Sequence, residues 1–353
     1  MNIYINGYNI LLIVLVSFIS TVILVPIIRD IAIRIGAIDK PDNKRKVHHI
    51  PIPSMGGLAI FLSFLFCYML FAPSTTQMLP ILIGGFVIIL TGMVDDISPL
   101  TPIQKLVGEI VSALVVTLYG GVSIDTIQLF GTMINFGIWA YPITIFFIVA
   151  IMNAIDLADG LDGLAAGTTT IYFITIAIIG YIASNLGGLD VIMCLILAGS
   201  CLGFLIYNFA PATIFMGDTG SLFLGYMISV VGLLGFKTAT LTSLIVPILV
   251  LFVPILDTLL AIGRRTIKGK SFASADRDHL HHQLLKKTKS TGKTVLIMYV
   301  INLLFSLVSI FYALGDKKIS LILYFILLVI FIIIILTTDI LFEHKKGSDT
   351  NEN

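Results

Sequence analysis

Eleven mostly apolar stretches of about helix-spanning length run through the chain, and nearly all of the charge lies between them. They cover about 5–28, 56–73, 78–94, 105–120, 134–152, 163–183, 189–207, 219–236, 241–263, 294–314 and 318–339. A run of about 20 apolar residues crosses the hydrocarbon of a bilayer as a helix, because only a helix or a closed barrel satisfies its backbone polar groups there. The pattern predicts an all-α polytopic membrane protein of about eleven transmembrane helices. Composition points the same way: 58% of the 353 residues are hydrophobic and 12% charged, against about 25% charged in ordinary soluble chains. A soluble fold of this size exposes too much of its chain to hide that apolar surface. Disorder, a coiled coil and a secreted disulfide scaffold are excluded on the same grounds. A net charge of +1 leaves no global nucleic-acid footprint. Cys67, Cys194 and Cys201 sit inside apolar runs and read as buried thiols.

Charge placement sets an expected orientation. Met1 to Asn9 carries no Lys or Arg, and basic residues follow the first run, which is the reverse of a cleaved signal peptide. With the N-terminus outside and the C-terminus cytoplasmic, 18 of the 21 Lys and Arg residues fall inside, as the positive-inside rule requires. Only Lys237, Lys317 and Lys318 fall outside. The partial alternation of apolar residues across 121–135 predicts a short extracytoplasmic β-hairpin. No internal repeat of the kind common in transporters is visible. The expected organisation is one transmembrane catalytic domain over 1–340, with cytoplasmic active-site loops at 29–55, 95–104, 153–162, 208–218 and 264–293. A polar tail, 341–353, is expected to be disordered.

The acids cluster on the same side. Asp95 and Asp96 close the third run, Asp156, Asp159 and Asp162 lie between the fifth and sixth, and Asp218 follows the seventh. Charge next to a membrane is costly unless paired or used. In NAIDLADGLDGL (153–164) the three acids recur every third residue, so a helical segment would hold them within one arc. Their mutual repulsion calls for a divalent cation or a Lys or Arg. Helix capping is the plain alternative, and the spacing is not that of a Ca²⁺ loop. In FMGDTGSLFLG (215–225), Asp218 stands among glycines at the start of a run, where it caps the helix or holds a cation that bridges to phosphate. Hard oxygen ligands select Mg²⁺, with Mn²⁺ as the other possibility.

Five of the six histidines lie in two basic inner loops: His48 and His49, then His279, His281 and His282. Loops carrying Lys46, His48, Arg277 and these histidines suit phosphate or carboxylate recognition; a zinc site lacks the usual accompanying pattern. Asp257, seven residues before Arg264, is expected to pair with Arg264 or Arg265. Carboxylates, basic loops and glycines against apolar helices suit transfer of a phosphorylated group from a soluble donor to a lipid acceptor.

The segments DKPDNKRKVHHIPIPSMGG (39–57), GMVDDISPLTPIQK (92–105), NAIDLADGLDGLAAG (153–167), FMGDTGSLFLG (215–225) and DHLHHQL (278–284) resemble those of the polyprenyl-phosphate N-acetylhexosamine-1-phosphate transferases, the superfamily of WecA, TagO/TarO and MraY. The resemblance implies Mg²⁺-dependent transfer of a sugar-1-phosphate from a UDP-sugar to undecaprenyl phosphate, with release of UMP. It implies catalytic roles for Asp95, Asp96, Asp159 and Asp162 and a metal role for Asp218. Lys46, His48, Lys105, Asn153, Asp156, Arg277, His279, His281 and His282 become the substrate-binding set. The H-L-H-H order looks like the TagO/TarO branch, which starts wall teichoic acid linkage units from UDP-GlcNAc. Asp156 stands where relatives commonly have Asn. The resemblance also implies a possible homodimer. A MraY-like phospho-MurNAc-pentapeptide transferase and a membrane transporter are the competing readings.

Overall fold

The structure, a computed structural model, describes residues 4–41, 50–129, 132–184, 188–235, 248–267 and 279–337. A two-residue pairing of β1 (Tyr4–Ile5) with β2 (Tyr8–Asn9) leads into α1 (Ile10–Ile35). Asn9 caps α1 through the Leu11 N–H, and Gly36 ends it in the left-handed conformation. The first helix therefore starts later and runs further than the expected 5–28. β3 (Ile38–Asp39) pairs antiparallel with β4 (Ile52–Pro53), followed by α2 (Gly57–Phe71), α3 (Met78–Ile97) and α4 (Pro102–Leu114), which continues as a π-helix over Val115–Tyr119.

The hairpin expected within 121–135 is present: β5 (Thr126–Leu129) pairs antiparallel with β6 (Thr132–Asn135). Its second strand takes up residues assigned above to the fifth run, so α5 begins only at Ala140 and extends to Ala158. Then come α6 (Leu164–Ser184), α7 (Leu189–Asn208), α8 (Gly217–Gly235), α9 (Phe252–Ile267), α10 (Leu280–Thr288), α11 (Thr291–Leu314) and α12 (Lys317–Thr337).

Eight helices among the described residues are long and apolar enough to cross a membrane, and α2 is a shorter apolar helix. The chain is thus a multi-pass membrane protein. Helix α8 is the most enclosed of these helices and packs against α2, α3, α5, α6 and α7. Its Phe223 and Tyr226 are buried, and Phe223 meets Phe61 and Phe64 of α2 edge to face. Cys67, Cys194 and Cys201 are free and buried, as expected.

Helices approach α8 closely where side chains are missing. A Cβ on Gly57 would run into the backbone of Gly220, and one on Gly92 would lie 2.5 Å from Thr219 Cα. Gly225 meets Met152 Cα at the same hypothetical distance. Small residues at helix contacts are the usual means of close packing in a bilayer, where lipid tails remove the hydrophobic drive between helices. Gly57→Ala should therefore lower stability by about 1–3 kcal/mol, the range for overpacking. Gly292→Ala, with open space at that position, should not. Thermal unfolding of both variants in detergent measures the difference.

Candidate active site

Helices α1, α3, α5 and α7 end, and α8 begins, around one cavity of about 660 Å³. Seven aspartates line it: Asp39, Asp95, Asp96, Asp156, Asp159, Asp162 and Asp218. The acids that the sequence singled out from the third, fifth and seventh runs are brought together here, from positions up to 123 residues apart.

Asp96 does the joining. From the last turn of α3, its Oδ1 accepts from Ser54 Oγ at 3.0 Å and from the Asp218 N–H at 3.1 Å. Its Oδ2 accepts from the Thr219 N–H at 3.1 Å and from Thr219 Oγ1 at 2.6 Å. A helix N-terminus leaves orphan N–H groups that attract negative charge, and here the cap comes from another helix. Asp96, rather than Asp218, caps α8. Gly217 has φ +69°, and a Cβ there would strike the Asp96 carboxylate and Ser54 Oγ.

Asp95 accepts the Leu100 N–H at 2.7 Å, and its carboxyl also lies in hydrogen-bond contact with that of Asp218. The bond to Leu100 orders the turn into α4, which starts with a Thr101–Gln104 capping box. Lys105 follows on the first turn of α4. Its Nζ lies 2.7 Å from Asp156 Oδ2 and donates a short hydrogen bond to Asp218. Ser221 Oγ donates to the other oxygen of Asp156 at 2.6 Å. The added carboxylate at 156 is therefore matched by Lys105. One turn below, Asn153 donates to Glu109, which is buried, and to the Val149 carbonyl. Asn153 is thus turned toward Glu109, and the cavity lining does not include it.

The three acids of 153–164 do not share a helix face. Helix α5 ends at Ala158, Asp159 leaves helical geometry at ψ 46°, and Gly163 has φ +80°. Two glycines in four residues break the helix, yet all three acids still line the cavity. Asp162 Oδ2 accepts the Ala212 N–H at 2.9 Å. Asn208 Oδ1 accepts the Gly163 N–H at 3.0 Å, and Tyr299 donates to the Gly163 carbonyl.

Asp159 accepts no hydrogen bond at its carboxylate among the described residues. Burial, then the negative charges of Asp156, Asp96 and Asp162, push its pKa up to about 8. An acid in this state takes a proton or a cation.

The histidines lie behind this loop. His279 precedes α10, and His281 and His282 lie on its first turn. The rings of His279 and His281 stack with centroids 5.5 Å apart, and those of His281 and His282 lie 4.4 Å apart. His281 rests against Gly160, where a Cβ would collide with its Nε2. His281 is buried and does not line the cavity. Burial pushes His282 down to about 4, and the neighbouring His281 and His279 act in the same direction.

Asp257 differs from expectation. Its described partners are the Leu280 N–H at 2.9 Å, His279 Nδ1 at 3.2 Å and His281 Nδ1 at 3.7 Å, in place of Arg264; the Arg265 side chain lies outside the described residues. Lys46, His48 and Arg277 lie outside the described residues. Spacing gave no sign of Ser54, Glu109, Asn208 or Tyr299, whose roles exist only across elements.

The donor set fits a hard divalent cation. Asp159 has no donor, and Asp95 and Asp218 line the same wall. Among the described residues no three acids or histidines form a ready-made metal cluster. Mg²⁺, where bound, takes one or two carboxylates together with substrate phosphates and does not require such a cluster.

An apolar helical bundle with an acidic cavity at its helix ends defines a polytopic membrane protein built for charged groups at the bilayer surface. Residues 78–236 match the family model Glycosyl transferase family 4. A Bacillus subtilis protein described as a probable undecaprenyl-phosphate N-acetylglucosaminyl 1-phosphate transferase is 41% identical over 88% of this chain and 87% of its own. A Mycobacterium tuberculosis decaprenyl-phosphate N-acetylglucosaminephosphotransferase is 35% identical over 77% of this chain and 75% of its own. A Chlorobium chlorochromatii phospho-N-acetylmuramoyl-pentapeptide-transferase is 34% identical over 76% and 81%. The chain belongs to the superfamily of polyprenyl-phosphate N-acetylhexosamine-1-phosphate transferases.

Two outcomes follow for the site. Asp96→Asn keeps the shape but turns an NH₂ toward a donor, so stability should fall by about 1–3 kcal/mol, the cost of a buried unsatisfied donor; thermal unfolding measures it. Asp159 binds its proton more tightly when folded than its ordinary 3.8 allows. The folded protein therefore holds a proton that the unfolded chain has lost, and stability must fall as pH rises from about 4 to about 8. In EDTA the melting temperature should drop across that window, and Asp159→Asn should flatten the drop.

Proposed function

We propose that the protein transfers GlcNAc-1-phosphate from UDP-GlcNAc to undecaprenyl phosphate, giving undecaprenyl-diphosphate-GlcNAc and UMP. The observation that carries this is the carboxylate wall with Lys105, set at the helix ends against apolar helices. The extent of the likeness to the Bacillus subtilis protein supports the same donor and acceptor. The reaction is the first step of wall teichoic acid linkage-unit synthesis or of a related envelope polymer.

An oxygen of the lipid phosphate forms a bond to the sugar-linked phosphorus. The bond from that phosphorus to the bridging oxygen breaks, and UMP leaves with that oxygen. Asp218, Asp159 and Asp95 are the residues that would hold Mg²⁺. When bound, Mg²⁺ neutralises the diphosphate charge and polarises the phosphoryl oxygens. Asp96 fixes the start of α8 and so places Asp218. Lys105, between Asp156 and Asp218, keeps one positive charge at the carboxylate wall. The basic loops that carry Lys46, His48 and Arg277 supply charge for the nucleotide.

The cavity faces the cytoplasm in this reading, with eleven crossings and the N-terminus outside. The distribution of 18 of 21 basic residues supports it, as does the need of a soluble nucleotide-sugar for the cytoplasmic side.

The test offers UDP-GlcNAc, UDP-GalNAc and UDP-MurNAc-pentapeptide in competition to purified protein with undecaprenyl phosphate and Mg²⁺. UMP release with UDP-GlcNAc preferred is expected, and Asp95→Asn, Asp159→Asn and Asp218→Asn should each lower turnover by about 10²-fold or more. Preference for the pentapeptide donor would move the protein to the MraY branch. No UMP release from any donor would end the transferase reading.

A further inference from the structure

The loop that carries Asp159 and Asp162 is fixed unevenly. Its far end is held by three hydrogen bonds: Ala212 N–H to Asp162, Gly163 N–H to Asn208, and Tyr299 to the Gly163 carbonyl. Its near end differs. The Asp159 carboxylate has no donor among the described residues, so its place depends on the backbone beside it. That backbone, at Gly160, lines the cavity on one side and leans on the imidazole of His281 on the other.

The His281 ring needs something to orient it. Its Nε2 is buried with no hydrogen-bond partner among the described residues, so it is steered from the Nδ1 edge. There one oxygen, Asp257 Oδ2, faces His279 Nδ1 at 3.2 Å and His281 Nδ1 at 3.7 Å. The two ring planes lie 10° from parallel. The other oxygen accepts the Leu280 N–H at 2.9 Å and so caps α10. A carboxylate at hydrogen-bond distance from Nδ1, as at His279, selects the Nδ1–H tautomer and fixes the ring; His281, 3.7 Å from the same oxygen, stacks on the ring so fixed.

We propose that Asp257 is a positioning residue of the active site: through His279 and His281 it sets the backbone at Gly160, and with it the carboxylate of Asp159 on the cavity wall. The proposal gives the histidines a buttressing role behind the acidic loop. It rests on the transferase reading only for its kinetic consequence.

The test uses the full chain purified in detergent. Gly160 has no left-handed φ, so Gly160→Ala adds only a methyl group against His281. Gly160→Ala should lower the melting temperature, and turnover by about tenfold or more, the lower end of the range for supporting partners. The double variant Gly160→Ala with His281→Ala should return both to the level of His281→Ala alone. Asp257→Asn keeps an acceptor for the Leu280 N–H but loses the charged acceptor at Nδ1. It should lower kcat by about 10–100-fold, with the KM for undecaprenyl phosphate unchanged. The ¹⁵N-histidine spectrum of the unsubstituted protein should carry an Nδ1–H signature that Asp257→Asn loses.

Additive effects of Gly160→Ala and His281→Ala would overturn the proposal. So would an unchanged ¹⁵N spectrum, or turnover within twofold of the parent, in Asp257→Asn. Should Asp257→Asn fail to fold, the Gly160–His281 pair still decides. An unsubstituted protein that releases no UMP from any donor would sink the transferase reading, while the melting and ¹⁵N results would still decide the role of Asp257.

Discussion

The carboxylate of Asp96 reaches from the last turn of α3 to the first turn of α8 and takes Ser54 in with it. The start of α8 lies among apolar helices, and its N–H groups need an acceptor there. With the acceptor supplied from another helix, three distant segments are fixed to one another at the point where the cavity opens. The bond pattern leaves no room for a side chain at Gly217, and the nearby backbones of Gly57 and Gly220 meet without one. Asp218 takes its place from this junction, since its own N–H is one of the bonded groups.

From that junction the charges divide into two kinds. Asp96, Asp156 and Asp162 accept hydrogen bonds that build the wall. Asp159 has none among the described residues, and Asp95 and Asp218 use an oxygen each on Leu100 and Lys105. Seven aspartates line about 660 Å³ together with Lys40, and Lys105 pairs with two of them, Asp156 and Asp218.

The overall architecture was legible because bilayer thickness forces a length on apolar runs, and that length survives in sequence. Helix ends were less legible. The fifth run began inside a β-strand, because apolar residues (Ile134, Phe136, Ile138 and Trp139) lead without a break into the helix after it. The acids were legible as a set, since charge at a membrane surface is expensive, but their division of labour was not. Nothing in the spacing shows that Asp96 caps a helix 122 residues away, or that Asp156 faces Lys105 across two helices. The expected single face for Asp156, Asp159 and Asp162 failed because Gly160 and Gly163 end the helix between them. Asp257 was visible as an odd charge in an apolar run, yet sequence proximity suggested Arg264. Its partners come from the chain after the basic loop.

The same logic runs through both supports of the acidic cavity. At Asp96 a carboxylate from one helix satisfies the N-terminus of another, α8. At Asp257 a carboxylate from α9 satisfies the N-terminus of α10 through the Leu280 N–H. Each acid also holds side chains: Ser54, which lines the cavity, and Thr219 in one case, and His279 and His281 in the other. A helix start is rigid and its unpaired N–H groups are directional, so a carboxylate bonded there has few alternative positions. Asp159 lines the cavity and accepts no hydrogen bond at its carboxylate among the described residues, while Asp162, Asn208 and Tyr299 hold the far end of its loop.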